Sequence, residues 1–482
     1  MRGMTNTTRA PEATNIRREF EQADLGDRRR TARLVAVAER LRASPDQSFP
    51  DIMLRSSELT GLYRLLNNDA VSAAVILEPH QQETTRRCVD ATRVVAIHDT
   101  TEISFPGATA RRGLGRLRGE ADQGLLLHAA LAVAADGSQR PLGIIGAHTW
   151  VREELGNSRH PDGRKKCGAD YNGETGKESA RWWNVVDEVE HRLAGVDVIH
   201  VFDREGDAYP LLRAALDHEA RFVTRMARDR VVLDDQDERI GRVSELLVDV
   251  VDVLRLEVEL SPRAAKKTPK VTESPRQARV AQLAVGASKM LLAPPQYIKG
   301  EPLEVNVVYV HEVNAPAGMD AIDWVLITSE PIQTTAQIRT VVDAYRQRWL
   351  VEEYFKALKT GCALEKRQLE SYESITAALA IFLPIAWQLL LLRNLARSQP
   401  LEPATLILTP TQLDVLRAAA PELHLSRHPT VAEALQAVAY LGGHFIKRPP
   451  GWLVLGRGLE KLLDLEVGWR LAHAARENCD RT

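Results

Sequence analysis

The sequence predicts an α/β protein whose core of strands and helices is interrupted by a β-rich stretch and flanked by helical segments. Three observations carry this. Apolar, β-branched runs that end on an acid occur twice, at Arg93-Val-Val-Ala-Ile-His-Asp99-Thr-Thr and at Val196-Asp-Val-Ile-His-Val-Phe-Asp203, as strands of a buried sheet do. Segments of helical period stand beside them, among them Lys177 to Ala194 and Tyr209 to Leu216. From about Ala227 to Trp324 the pattern changes to strands such as Leu254–Leu260, Arg279–Val285 and Leu303–His311, with Lys- and Pro-rich connections.

Length and composition set the outer bounds. A chain of 482 residues holds two to four domains. Its 44% hydrophobic and 27% charged content is that of a soluble globular protein. A net charge of −2 does not advertise nucleic-acid binding, so any such contact must come from local patches. Cys88, Cys167, Cys362 and Cys479 form no CxxC pair, which points to a reducing, cytoplasmic compartment and away from structural zinc. The first twenty residues are polar, with four arginines and no apolar h-region, so no secretory signal is expected. The apolar run from Ile375 to Leu392 just reaches transmembrane length. It follows a charged helix and reads as a buried core helix, with no membrane partner.

Residues 1–15 read as disordered. The stretch from Met1 to Ser44 holds ten Arg and six acids, and Leu34, Val37, Ala38 and Leu41 give it a helical stripe with Arg29, Arg33 and Arg40 on another face. Helical sequence continues to about Leu77, with Leu62, Leu65 and Leu66 as core candidates. A basic helical domain over residues 1–80 fits DNA binding, and a solvated arginine face fits the same charges. After the first strand comes a basic, Gly-containing loop from Arg111 to Arg118. Strands Leu125–Ala134 and Leu142–Trp150 follow, joined at Ala135-Asp136-Gly137-Ser138, a hairpin turn. Residues 151–176 read as loop. Residues 81–226 thus form the first part of the core and 227–323 an inserted β-rich subdomain. Residues 324–394 return to the core, and 395–482 form a helical C-terminal domain.

The most informative stretch runs from Tyr345 to Lys359. It contains no Gly or Pro and suits one helix. On that helix Tyr345, Arg348, Glu352, Lys356 and Lys359 fall within roughly an 80° arc, opposite Leu350, Val351, Tyr354, Phe355 and Leu358. A single acid among cations and a phenol suits a site that handles a metal and a phosphodiester. A surface helix with i,i+4 ion pairs is the plain alternative.

Three strands, a helix, a strand with a second acid and a helix with a third match a ribonuclease-H-like core. In it Asp99, Asp203 and Glu352 can converge on two divalent metals, Mg²⁺ or Mn²⁺ in its place. Each acid also has a structural reading. Asp99 could end its strand in an Asx turn and Asp203 could cap the next helix. Glu205 and Asp207 compete with Asp203, and Glu353 with Glu352.

The chain resembles the DDE cut-and-paste transposases of bacterial insertion sequences. Within them it resembles the IS-four group, which includes the enzyme of the kanamycin-resistance composite transposon. The residues that carry this are Ala96-Ile-His-Asp99-Thr-Thr, Phe202-Asp203-Arg-Glu-Gly-Asp207 and a Tyr-x2-Arg-x3-Glu-x6-Lys signature, complete as Tyr345, Arg348, Glu352 and Lys359. Leu25-Gly-Asp-Arg-Arg-Arg-Thr-Ala-Arg33, Lys177-Glu-Ser, Trp324-Val-Leu-Ile-Thr-Ser-Glu-Pro and Leu441-Gly-Gly443 are similar to further blocks of that family.

The resemblance implies a metal-binding triad of Asp99, Asp203 and Glu352, holding two Mg²⁺ ions per site. Tyr345, Arg348 and Lys359, with Lys356, would grip phosphates, and Arg225 a DNA backbone. Trp324 would stack on a displaced base, or stand as a strand-end core Trp. Arg29, Arg30 and Arg33 would read transposon-end inverted repeats, and the C-terminal helices would pair two copies in a synaptic complex. The implied reaction is a nick, a hairpin and joining of 3′ ends to target DNA. A catalytically silent DNA-binding regulator is the alternative. His98 departs from the family pattern, where a Glu is familiar, and residues 261–278 follow no pattern of it.

Overall fold

The computed structural model describes residues 15–53, 55–107, 110–117, 122–151, 178–260, 266–267, 272–273, 277–296, 298–316, 318–444 and 450–479. All but the last residue of the expected disordered N-terminus, all but the first of the 151–176 loop and most of 261–278 lie outside them. In chain order the helices and strands begin with α1 (Arg28–Ala43), α2 (Phe49–Ile52), α3 (Ser56–Leu66), α4 (Ala73–Ala91), β1 (Arg93–Phe105), β2 (Gly115–Arg116), β3 (Gln123–Ala134) and β4 (Pro141–Trp150). Next come α5 (Glu178–Arg192), β5 (Asp197–Phe202), α6 (Tyr209–Asp217), β6 (Phe222–Arg225), β7 (Val231–Leu233), β8 (Arg239–Arg242), α7 (Val243–Leu246) and β9 (Asp252–Leu260). The short pair β10 (Lys266–Lys267) and β11 (Thr272–Glu273) precedes β12 (Arg279–Leu292), β13 (Leu303–Val313) and β14 (Asp323–Thr328). Helices α8 (Thr335–Arg346), α9 (Trp349–Lys356), α10 (Tyr372–Ser398), α11 (Pro410–Ala419), α12 (Val431–Leu441) and α13 (Trp452–Cys479) complete the chain.

The chain packs as two units. One comprises Met1–Val94, Thr100–Gly156 and Leu350–Thr482, the other Val95–Asp99 and Asn157–Trp349.

The first unit is built on α10. This helix is buried from Ser374 to Leu392, as its all-round apolar sequence requires. Pro384 sits inside it. Around it pack α4, β4, α1, α3 and α12. The β3–β4 hairpin is antiparallel, with Val133 opposite Pro141, and its turn places Gly137 at φ +89°. Beneath it lies a buried polar cluster. Glu19 pairs with Arg87 and takes a 2.6 Å hydrogen bond from His80 Nδ1, while His80 Nε2 accepts from Ile144 N–H at 3.0 Å. The Arg87 guanidinium lies 4.2 Å from the Trp387 ring centre. A buried carboxylate needs such partners to remain ionised, and these hold its pKa below the ordinary range against the opposing effect of burial.

The second unit holds a mixed sheet. The Val95–Asp99 part of β1 stands next to β5, which runs parallel to β6. From β6 the order continues β14, β13, β12, β7, β8, with β9 also on β12, and every pair from β6 outward is antiparallel. The strands of the β-rich stretch therefore extend the sheet that β5 and β6 begin. Trp182, Phe202, Leu212, Phe222, Leu292 and Ile327 belong to its core.

Two expectations are corrected. The first strand does not end at the acid but continues through the partly buried residues 99–102 to Phe105, with Ile103 and Phe105 buried. The expected single helix from Tyr345 to Lys359 is divided into α8, α9 and a π-helical turn over Ala357–Gly361. At the break Gln347 N–H bonds Ala344 O and Arg348 N–H bonds Tyr345 O, tightening the backbone to three-residue turns. The two parts serve different cores. Tyr345 is buried in the second unit, whereas Leu350, Val351 and Tyr354 are buried in the first.

Candidate active site

Asp203 follows directly on β5 and keeps an extended backbone, φ −83° and ψ −162°. Its carboxylate accepts Glu205 N–H at 2.7 Å and so caps the 3₁₀ turn Arg204–Gly206. Gly206 is required there, since a Cβ would meet that of Phe202 at 2.3 Å. The competitor Asp207 has other partners. It accepts Arg230 Nε at 2.9 Å and Ala227 N–H at 2.7 Å, tying the turn to the segment after β6.

The position of Asp99 follows from strand geometry. His98 Nε2 lies 2.8 Å from His200 Nδ1, and the His98 ring is 5.0 Å from the Phe202 ring. His98, His200 and Phe202 therefore share one face of β1 and β5. Side chains alternate along a strand. The odd steps from 98 to 99 and from 200 to 203 turn Asp99 and Asp203 to the other face together. Helix α5 covers the ring face, with Trp182 at 5.8 Å from Phe202 and Glu190 at 2.8 Å from His200 Nε2.

Helix α8 packs on β5, β6 and β13 and carries Tyr345, in its last turn, beside Asp203. Burial chiefly pushes the Tyr345 phenol above its ordinary pKa, and the Asp203 charge acts in the same direction. The Arg348 and Arg225 guanidiniums pull the other way, and Arg225 donates a hydrogen bond to the phenol oxygen. Arg225, at the end of β6, also donates to Asp323 O at 2.8 Å. Trp324 meets the Tyr345 ring edge-on at 5.4 Å. Among the predicted residues the second unit thus gathers Asp203, Arg225, Trp324, Tyr345 and Arg348, with Asp99 on the same face as Asp203. A phenol that faces a carboxylate, two guanidiniums and an indole gathers groups of the kinds that hold a cation and a phosphate.

Glu352, Lys356 and Lys359 belong to the first unit. Glu352 is exposed on α9. Glu353 is mostly buried and pairs with Lys356 at 2.9 Å and Arg393 at 2.8 Å. Lys359, in the π turn, donates to Glu102 O of β1 and lies 3.9 Å from Glu365. The division of the helix means that the shared arc of Tyr345 and Glu352 no longer follows from helical spacing.

In the N-terminal helix Asp27 caps α1 through Arg29 N–H at 2.8 Å. The Arg29 side chain is 95% exposed. Arg30 is tied to Leu25 O at 3.0 Å, and the Arg33 guanidinium lies against Gly61 of α3. Arg40, expected on the same face, makes a two-pronged contact with Glu58, both distances 2.7 Å.

Among the described residues no group of three or more His, Cys, Asp or Glu side chains stands close enough to hold a metal ion. Asp99 and Asp203 do supply two hard oxygen donors on one face, which fit Mg²⁺ or Mn²⁺ in kind. His200 and Glu190 escaped the sequence reading. The available signal was an imidazole at a buried position of the Val-Ile-His-Val-Phe strand. Its partners lie on other elements and leave no trace in spacing.

The Transposase DNA-binding family model matches residues 13–71, and the Transposase DDE domain model matches residues 168–386. Arg29, Arg30 and Arg33 fall in the first match. Asp203, Arg225, Trp324, Tyr345, Arg348, Glu352, Lys356 and Lys359 fall in the second, and Asp99 in neither. Among solved structures the chain is similar to a cryo-EM structure of the piggyBac transposase synaptic complex with hairpin DNA. The TM-score is 0.37 and the identity 10%, over 95% of this chain and 79% of that one. A likeness so loose carries no weight for fold or function.

Proposed function

We propose that this chain, a DNA transposase by its transposase DNA-binding domain and DDE domain, cuts the ends of its own element and joins them to target DNA. The observation that carries this reading is the placement of Asp99 and Asp203 on one face of the sheet, with Asp203, Arg225 and Arg348 all about the Tyr345 phenol. In this reading the catalytic core is ribonuclease-H-like, of the IS-four group with the Tyr-Arg-Glu-Lys signature.

Asp99, Asp203 and Glu352 would hold two Mg²⁺ ions, with Mn²⁺ able to replace them. Ions bound there favour deprotonation of an attacking water or 3′-hydroxyl and offset charge on the leaving oxygen. Tyr345, Arg348, Lys356, Lys359 and Arg225 grip the phosphates flanking the cut, where guanidinium forks suit phosphate oxygens. Trp324 stacks on a base drawn out of the duplex. Water attacks phosphorus, the P–O3′ bond breaks and a 3′-hydroxyl is freed. That hydroxyl attacks a phosphorus of the opposite strand and displaces the 3′-oxygen of the flanking DNA, closing a hairpin that water reopens to regenerate the 3′-hydroxyl before joining.

Arg29, Arg30 and Arg33 contact the inverted repeat. Two copies pair through the C-terminal helices, a reading supported by the exposed Leu465, Val467 and Leu471 of α13. The protein acts in the bacterial cytoplasm on the nucleoid. Duplexes carrying the element's own end, against scrambled duplexes, test the reading in Mg²⁺. Nicking confined to the true end supports it. Binding of that end without nicking in Mg²⁺ or Mn²⁺ overturns it in favour of a silent regulator.

A further inference from the structure

Two buried imidazoles and a partly exposed carboxylate, on the far side of the sheet from the acids, form a directed chain. The Glu190 carboxylate on α5 accepts from His200 Nε2–H at 2.8 Å. A neutral His200 then has a bare Nδ1, which accepts from His98 Nε2–H at 2.8 Å. Both imidazoles are fully buried. Each hydrogen bond thereby fixes the tautomer of the next ring, from α5 through β5 to β1.

The importance lies in register. Burial opposes a slip of one residue, which turns every side chain to the other face, but a slip of two keeps the buried face and is opposed less by burial alone. Such a slip would move Asp99 along Asp203 by roughly 6–7 Å, more than the 3.5–4 Å or so between the ions of a two-metal site. A side-chain hydrogen bond between the strands allows one register only. Each ring sits an odd number of residues from an acid, His98 before Asp99 and His200 before Asp203.

We propose that Glu190, His200 and His98 are positioning residues that lock the stagger of β1 on β5 and so set the spacing of the Asp99 and Asp203 carboxylates for a divalent cation. This rests on the metal reading above. The chain touches neither DNA nor the reacting atoms, and its effect passes through the two strands.

Mn²⁺ binding to the full-length protein, followed by electron paramagnetic resonance beside a thermal melt, tests it. Glu190→Ala is expected to weaken Mn²⁺ binding about 10-fold, the lower end for supporting residues behind metal ligands. Glu190→Gln, whose amide oxygen still accepts from His200, is expected to bind within about two-fold of wild type. His98→Leu combined with His200→Leu keeps an apolar core without direction and is expected to behave as Glu190→Ala. If both variants bind Mn²⁺ as wild type does, even while melting lower, the rings are core packing and the proposal is overturned. Equal weakening by Glu190→Gln and Glu190→Ala also overturns it. If wild type binds no Mn²⁺, or Asp203→Asn binds it unchanged, the metal reading itself fails and takes the proposal with it.

Discussion

The Glu353 carboxylate lies 2.8 Å from the Arg393 guanidinium, and only 14% of that acid's side chain is exposed. Its neighbour Glu352 is exposed on the same helix. Two adjacent acids thus stand in different surroundings. Glu353→Gln should cost about 1–2 kcal/mol of stability by weakening a charged, partly buried pair, and leave DNA cleavage within a few-fold of wild type. Glu352→Gln should leave the melting temperature unchanged and lower single-turnover cleavage by about 100- to 1000-fold, the scale of losing a transition-state charge contact. Denaturant melts and cleavage time courses on both variants separate the two.

In the proposed site Tyr345 would act as a neutral phenol. Burial first, and Asp203 second, push its pKa up, so no tyrosinate forms across the neutral range. Cleavage by wild type should therefore show no rise attributable to tyrosinate up to about pH 9. Tyr345→Phe should keep the packing on Trp324 and lose the hydroxyl. An expected fall of about 10-fold in cleavage, with no change in melting, corresponds to one hydrogen bond of about 1.4 kcal/mol.

Two arginines of α1 should part company in salt titrations. Arg29 is almost wholly exposed, so Arg29→Ala should leave stability untouched. Its loss should reduce the slope of log K against log salt for end DNA by about 0.9, the loss of one phosphate contact. Arg40 grips Glu58 with both nitrogens. Arg40→Ala should instead cost about 1 kcal/mol of stability and leave the salt slope as it was. Gel-shift titrations at several salt concentrations provide the comparison.

Acid should destabilise the fold through His128. This imidazole is fully buried on β3, 2.9 Å from Thr100 Oγ1. Burial first, and His148 second, depress its pKa to about 3. A folded pKa below the unfolded value of about 6.5 means that the unfolded chain binds the extra proton. The contribution is whole above pH 6.5 or so and falls as pH drops toward about 3, by up to about 1.4 kcal/mol per unit. Urea unfolding at about pH 7 and pH 5 should show a loss of about 2 kcal/mol from this group that His128→Gln removes.

Much of the fold was legible because period and punctuation are local. The hairpin at Asp136-Gly137, the strand that stops at Asp203 and the buried apolar helix now seen as α10 could be read from neighbouring residues alone. The break between α8 and α9 could not, since nothing in Tyr345–Lys359 breaks a helix. It arises because Tyr345 and Tyr354 are buried in different units. The extension of β1 past Asp99 was hidden by the polar Asp99-Thr-Thr-Glu102, where partial burial replaces clear alternation. The ring chain behind the acids was also out of reach, because its three members lie on three elements.

The most direct measurement is single-turnover nicking of the element's own end duplex in Mg²⁺ by wild type and Asp203→Asn, with end binding measured on the same preparations. Wild type is expected to nick, and Asp203→Asn to bind the end within about three-fold of wild type while its nicking falls at least about 100-fold. Undiminished nicking by Asp203→Asn would contradict the proposed metal site.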